Sequence, residues 1–169
     1  AQNLGAGRQD RIRRGTVKSL LIGLAMYGIL GGLGMLLTIN GAYQHLFMSA
    51  DKITEATIRY GNIYLYVDLA LYFMLMILFV FRAAVQGVGH AEYALVAGCA
   101  ELVARVLICA FLPAMVNGGP IDSSASTGAY IALCFGDPGA WTLAVSSLIY
   151  PAARYLFGAK SKKQRSLSA

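Results

Sequence analysis

Long apolar runs separated by short polar segments dominate the chain. Four runs are about twenty residues long, at 17–39, 62–84, 93–113 and 138–157. At 1.5 Å per residue, each is long enough to cross ~30 Å of hydrocarbon as a helix. The runs lack the alternating segments of about ten residues that mark a membrane β-barrel. The pattern therefore predicts an all-α membrane protein with four transmembrane helices.

The segments outside the runs predict two basic segments and a short turn on one side of the membrane, and two loops on the other side. The first side holds a basic loop at 1–16, a turn at 85–92 and a basic tail at 158–169. The outer loop at 40–61 is expected to contain a short interfacial helix, and 114–137 is rich in turn residues.

Three residues are expected to shape the helix ends. Pro113 is expected to stop the third helix, and Asp137 is a candidate N-cap for the fourth. Pro151 is expected to kink the fourth helix or to free a carbonyl. In the first helix, Gly28 and Gly32 form a small-xxx-small pattern that favours close helix packing.

Composition agrees with a membrane location. The chain is 57% hydrophobic and 13% charged, whereas soluble domains carry roughly 25% charged residues. Eleven of its 14 basic residues fall on the side of the two termini, which the positive-inside rule makes cytoplasmic. These eleven are Arg8, Arg11, Arg13, Arg14, Lys18, Arg82, Arg154, Lys160, Lys162, Lys163 and Arg165.

The arginine cluster of AQNLGAGRQDRIRRG raises two other interpretations. A phosphate-binding loop would need GxxxxGK[ST], but Arg-Gln-Asp follows Gly7. A nucleic-acid arm would need a basic soluble domain, which the sequence lacks, so no nucleic-acid partner is expected. The cluster is better explained as a topology anchor that also touches anionic lipid headgroups of the bilayer.

Chemistry-bearing motifs are scarce. Cys99, Cys109 and Cys134 lack metal-ligand spacing and are expected to be small core residues, with neither a disulfide framework nor a metal site. There is no HExxH and no Ser/His pair within a span, so no enzyme, catalytic residue or cofactor is predicted. The chain begins without Met or a signal peptide, and we expect it to be a piece of a longer protein.

Charged residues inside the runs are the functional candidates, because they are costly in lipid. Glu101 and Arg105 stand four apart and share a helix face. They form either a structural pair or a cation, proton or gating site. Asp68 stands between Tyr64 and Tyr72 at the same spacing, and is either an interfacial residue or an ion-coupled carboxylate. Tyr72 is the further candidate for lining a polar pathway.

Several stretches together resemble one family. AQNLGAGRQDRIRRG, FRAAVQGVGHAEY, GCAELVARVLICAFL and GAYIALCFGDPGAW resemble, in order, segments of the C-terminal lobe of the multidrug and toxic compound extrusion (MATE) family. The resemblance covers nearly the whole chain. It implies helices nine to twelve of a twelve-helix transporter, that is, a partial C-terminal lobe.

The resemblance also implies function. MATE proteins export cationic compounds in exchange for H⁺ or Na⁺, here from the bacterial cytoplasmic (inner) membrane, and this fragment would need the missing N-terminal lobe and preceding helices. Family motif positions correspond to Gly5, Gly7, Gln86, Gly87, Gly89, Glu101 and Arg105.

The chain departs from the family pattern at two positions. An acidic residue of some Na⁺-coupled members would fall near Leu75, so Asp68 does not inherit its role. His90 replaces a frequent Asp and is expected to be solvated, with a pH-sensing role as the alternative.

Two other functions stay open. A lipid-linked oligosaccharide flippase has the same general architecture, but it should carry more cavity-facing basic residues than Arg105 alone. A four-helix membrane scaffold without a substrate is the alternative from another class.

Overall fold

In the computed structural model, which describes residues 2–158, the chain is a bundle of helices without a strand in that range. The predicted basic tail lies outside these residues, apart from Gly158. Four segments are long and apolar enough to cross a membrane, the last of them made of two helices in sequence. The helices are α1 (Gln2–Gly5), α2 (Gln9–Leu37), α3 (Gln44–Phe47), α4 (Glu55–Gly87), α5 (Ala91–Asn117), α6 (Thr127–Cys134) and α7 (Gly136–Pro151).

Helix ends follow from local chemistry. The Thr54 hydroxyl accepts a hydrogen bond from the Thr57 N–H at 3.1 Å and so caps α4. Gly118 ends α5 in the left-handed region at φ 75°, and its N–H and that of Gly119 close the last turn. The expected stop at Pro113 is wrong: α5 continues four residues past this buried proline. A proline limits a helix less when neighbouring helices hold the turn in place.

Packing orders the helices around α4. Helix α5 packs against α7, and α4 packs against both, while α2 lies at the edge against α4. The core of the bundle combines large residues of α4 and α7 with alanines that let the helices approach: Leu78, Ala97, Trp141, Ala144 and Leu148. None of the most apolar 18-residue window of α2 is buried. Helix α2 therefore offers a long apolar face to the bilayer or to further protein.

One end of the bundle, here called the basic end, holds the start of α2, the α4–α5 turn and the end of α7. Val85, Val88, Ala152 and Leu156 form a second buried cluster there. After Pro151 the chain continues as one π-helical segment, Ala152–Leu156. The kink or free carbonyl expected at Pro151 stays a prediction.

The basic end differs from the sequence prediction in one respect. Helix α2 already begins at Gln9, so the basic cluster is helical and most of residues 9–16 are not a loop. The Gln9 amide donates to the Tyr155 carbonyl at 2.7 Å, which ties the start of α2 to the segment after α7.

The opposite end, here called the loop end, also differs. The outer loop predicted at 40–61 contains only short helical turns, α3 among them, before α4 begins. A single turn at Ala50–Lys52 follows an extended Met48 and Ser49, and α4 begins at Glu55. The second loop is shorter than 114–137, since α5 reaches Asn117 and α6 occupies Thr127–Cys134.

Small residues pack differently from the prediction. A Cβ at Gly28 or Gly32 would meet nothing within 4 Å, whereas one at Gly23 would lie 2.7 Å from the Met76 side chain. The expected close packing therefore occurs at another glycine of α2, because the face that turns toward α4 excludes Gly28 and Gly32.

The cysteine prediction is partly wrong. All three cysteines are free; Cys134 is buried, but Cys99 and Cys109 are exposed. Cys109 nevertheless lies beside Gly136 at the start of α7.

Candidate functional site

The predicted pairing of Glu101 and Arg105 is present. An Nη2–Oε1 distance of 3.2 Å joins the two side chains along α5. The Glu101 side chain is only 18% exposed, so little water competes for it. The carboxylate keeps a second oxygen for another partner.

That second oxygen contacts α4. The Arg82 Nη2 donates to the Glu101 Oε2 at 2.9 Å. On the other side of Arg105, its Nε lies 2.8 Å from the Asp137 Oδ1 in the first turn of α7, although the N–H does not point along this contact. These four residues form an ion-pair chain, Arg82–Glu101–Arg105–Asp137, that links α4, α5 and α7.

Sequence reasoning missed both ends of the ion-pair chain. Arg82 was counted among the cytoplasmic basic residues, but it lies within α4 and turns toward α5. Asp137 was expected to cap the last helix; in the structure it makes no cap hydrogen bond, and its carboxylate faces Arg105. Their position inside or beside apolar runs was the available signal, but partners on separate helices cannot be paired from spacing alone.

Asp68 adds a third carboxylate to this part of the bundle. Its Oδ1 is buried and has no hydrogen-bond partner among the described residues. The carboxyl lies within electrostatic reach of Asp137, and of Tyr64 one turn earlier on α4. The ion-pair chain itself is balanced, with the carboxylates of Glu101 and Asp137 against the guanidinium groups of Arg82 and Arg105. Asp68 lies near Asp137 and makes no ion pair among the described residues. With every group ionised, this region carries one surplus negative charge.

The two tyrosines of the predicted polar stripe have different surroundings. Tyr64 lines a cavity together with Arg105 and Asp137. Tyr72 packs edge-on against Trp141 with ring centroids 5.6 Å apart, so its ring belongs to the aromatic packing of α4 on α7. Of the two, Tyr64 is the better placed to contact a bound ion or solute beside Asp68.

Two cavities approach the ion-pair chain from the loop end. The inner cavity, of about 250 Å³, is the one lined by Arg105, Asp137 and Tyr64. The outer cavity, of about 520 Å³, is lined mainly by apolar and aromatic residues, with Tyr60 and Pro113 on its wall. Cys109, Tyr130 and Leu133 line both cavities. The two spaces therefore adjoin and lead from the loop end toward the charged region.

The remaining motif residues lie at the basic end. Gln86 and Gly87 form the last turn of α4, and Gly5 ends α1. Gly7 and Gly89 adopt φ values of 65° and 91°, which a residue with a Cβ adopts only with strain. These positions thus support the turns that enter α2 and α5, about one helical turn beyond Arg82 on α4.

His90 is not the freely solvated residue that was expected. Its ring stacks on Tyr155 with centroids 3.7 Å apart, and its Nδ1 lies 2.8 Å from the Glu92 carboxylate. The imidazole side chain is 31% exposed. His90 is therefore a packing contact between the α4–α5 turn and the segment that follows α7.

Comparisons with family models, with curated proteins and with solved structures found no match to this chain. A functional argument for this chain therefore rests on its own sequence, helices and charged residues.

Proposed function

We propose that this chain is the C-terminal part of a MATE-type secondary transporter that exports cationic compounds in exchange for H⁺ or Na⁺. The observation that carries the proposal is the surplus carboxylate: Asp68 has a buried oxygen without a partner beside a chain of ion pairs in which every other charge is matched. The sequence resemblance suggests the MATE family, and the surplus carboxylate suggests a group that binds a proton or another cation.

An unmatched carboxylate in a low-dielectric region is costly. The cost disappears when the group takes up a proton, or when a metal cation or an organic cation binds next to it. A transporter that exchanges one cation for another needs such a group, because occupation by either cation satisfies the same charge. Asp68, beside Tyr64 and the inner cavity, has these properties.

The ion-pair chain has a different role in this proposal. Each of its contacts joins neighbouring turns or neighbouring helices, so Arg82, Glu101, Arg105 and Asp137 hold α4, α5 and α7 together. Alternating access in such transporters rocks one rigid lobe against the other around a central site. A lobe that moves as one body needs its helices linked to one another, and charged links in lipid are hard to break. We assign this linking role to Glu101 and Arg105.

Placement in the membrane follows from the distribution of charge. Five basic residues crowd the start of α2 and its approach, at the basic end. By the positive-inside rule this end faces the cytoplasm, and the loop end with its two adjoining cavities faces outward. The bacterial inner membrane is the proposed location.

The positions of the basic side chains do not favour the flippase alternative. Recognition of a lipid pyrophosphate would need free cationic side chains near the cavities. Arg82 and Arg105 both contact carboxylates instead. The scaffold alternative needs no surplus charge, so it leaves Asp68 without an explanation.

Substitution of Asp68 tests the proposal. In the full-length transporter, Asp68→Asn should reduce efflux of a fluorescent cationic dye from proteoliposomes by at least ten-fold at equal protein content. Asp122→Asn is the matched control, because it removes the same charge from an exposed loop residue. Efflux should be driven separately by a pH gradient and by a Na⁺ gradient, which identifies the coupling ion.

Equal efflux by the Asp68→Asn protein and the parent would refute the role of Asp68. Loss of efflux in both variants would point to damaged folding, which size-exclusion profiles in detergent detect. A parent that moves no dye under either gradient would refute the export proposal itself.

A further inference from the structure

A groove at the basic end runs between α2 and α4. It has a volume of about 520 Å³. Ile12, Gly15 and Thr16 line it from α2, and Phe79 and Val80 line it from α4. Nothing lies within 4 Å of the Cβ that Gly15 lacks, so the groove is open at this point.

The walls of the groove are mostly apolar. The Thr16 hydroxyl donates to the Ile12 carbonyl at 3.0 Å and is therefore satisfied within α2. Ser19 and Asn3 add polar atoms to the lining. Phe79 is 58% exposed although it lies eight residues inside α4 from Gly87. At 1.5 Å per residue, the groove therefore extends about 12 Å from the helix end toward the hydrocarbon.

The mouth of the groove is cationic. Arg11 lines it and makes no ion pair with any described residue. The surrounding stretch 8–18 carries five basic residues against the single acid Asp10, a net charge of +4. Since the strongly apolar part of α2 follows directly, this cationic mouth lies at the depth of the lipid headgroups.

We infer that this groove binds one anionic phospholipid, with the lipid phosphate at Arg11 and an acyl chain along Gly15 and Phe79. The apolar walls fit an acyl chain, and the unpaired guanidinium fits a phosphate. A further apolar helix in the groove would cover the walls but leave Arg11 without a counter-charge. The inference rests on the groove and its charges and does not depend on transport.

A tryptophan reporter in the groove tests the inference. In the full-length protein with Phe79→Trp, reconstituted in vesicles, quenching by phospholipids with brominated acyl chains is measured as the difference from the parent protein. Brominated phosphatidylglycerol should reach half-maximal quenching at about five-fold lower mole fraction than brominated phosphatidylcholine, the effect expected for one cation near an anionic headgroup.

A pair of charge variants separates a site from a general surface effect. Arg11→Gln should remove the preference for phosphatidylglycerol. Arg13→Gln removes the same charge from the same helix, but Arg13 does not line this groove, so most of the preference should remain. Circular dichroism checks folding, and Ala83→Trp, on the same wall, replaces the reporter if Phe79→Trp misfolds.

Three results would overturn the inference. Equal quenching by the two lipids would show that the groove does not select anionic lipid. Equal loss of preference in both arginine variants would assign the effect to the diffuse charge of the helix end. Absence of quenching by either lipid would show that another part of the protein fills the groove.

Discussion

Substitution of Glu101 by Gln probes the ion-pair chain at its centre. The Glu101 carboxylate accepts from Arg82 at 2.9 Å and from Arg105 at 3.2 Å. A hydrogen bond to a charged group contributes about 1.5–3 kcal/mol, and Gln keeps one acceptor oxygen and nearly the same shape. Loss of about one such bond should therefore lower the free energy of unfolding by about 1.5–3 kcal/mol.

Unfolding in mixed detergent micelles, followed by far-UV circular dichroism, measures this loss in the full-length protein. Glu92→Gln is the control on the same helix, since its side chain is 62% exposed and its one ion pair among the described residues is with His90; it should change stability little. A double-mutant cycle with Arg82→Gln should show a coupling of about 0.5–3 kcal/mol. A loss below about 0.5 kcal/mol for Glu101→Gln, with no coupling, would refute the linking role of the ion-pair chain.

Two further predictions concern the turns. Gly89→Ala should destabilise the protein by about 1–2 kcal/mol, because φ is 91° at this position. Gly98→Ala, inside α5 with open space at its Cβ, should stabilise the protein by about 0.5–1 kcal/mol. Equal effects of the two substitutions in unfolding experiments would refute the backbone argument. The Ser124 hydroxyl and N–H donate to Asp122 and lower the pKa of its carboxyl below the ordinary 3.8. This contact stabilises the loop above pH 3.8 and is lost as the pH falls through the lowered pKa. Ser124→Ala should raise the pKa of Asp122 in an NMR titration, and an unchanged midpoint would refute the assignment.

The contacts of the ion-pair chain and the surroundings of Asp68 favour different roles for these residues. Glu101 and Arg105 were candidates for either a structural or a coupling role. Their contacts to Arg82 and Asp137 favour the structural role, since every charge in the ion-pair chain has a partner. Asp68, the carboxylate without one, becomes the candidate for binding a cation.

The apolar runs were enough to predict the class of protein and the four long apolar helices, because hydrocarbon admits a spanning helix, whose backbone hydrogen bonds close within the helix. The sequence also determined the Glu101–Arg105 pair, since a spacing of four residues fixes two side chains on one helix face. All of these depend on neighbours within about one helical turn.

The charges that meet across helices could not be paired before the packing of the helices was known. Arg82 and Asp137 are 19 and 36 positions from Glu101 in the sequence, and their meeting depends on the rotation and depth at which α4, α5 and α7 pack. The same rotation turned Gly23 rather than Gly28 toward a neighbour, and it stacked His90 on Tyr155. The surplus of one carboxylate became visible only when the ion pairs between the helices were known. A helix fixes which residues share its face, but packing against other helices selects the face that is buried and the charge that remains unmatched.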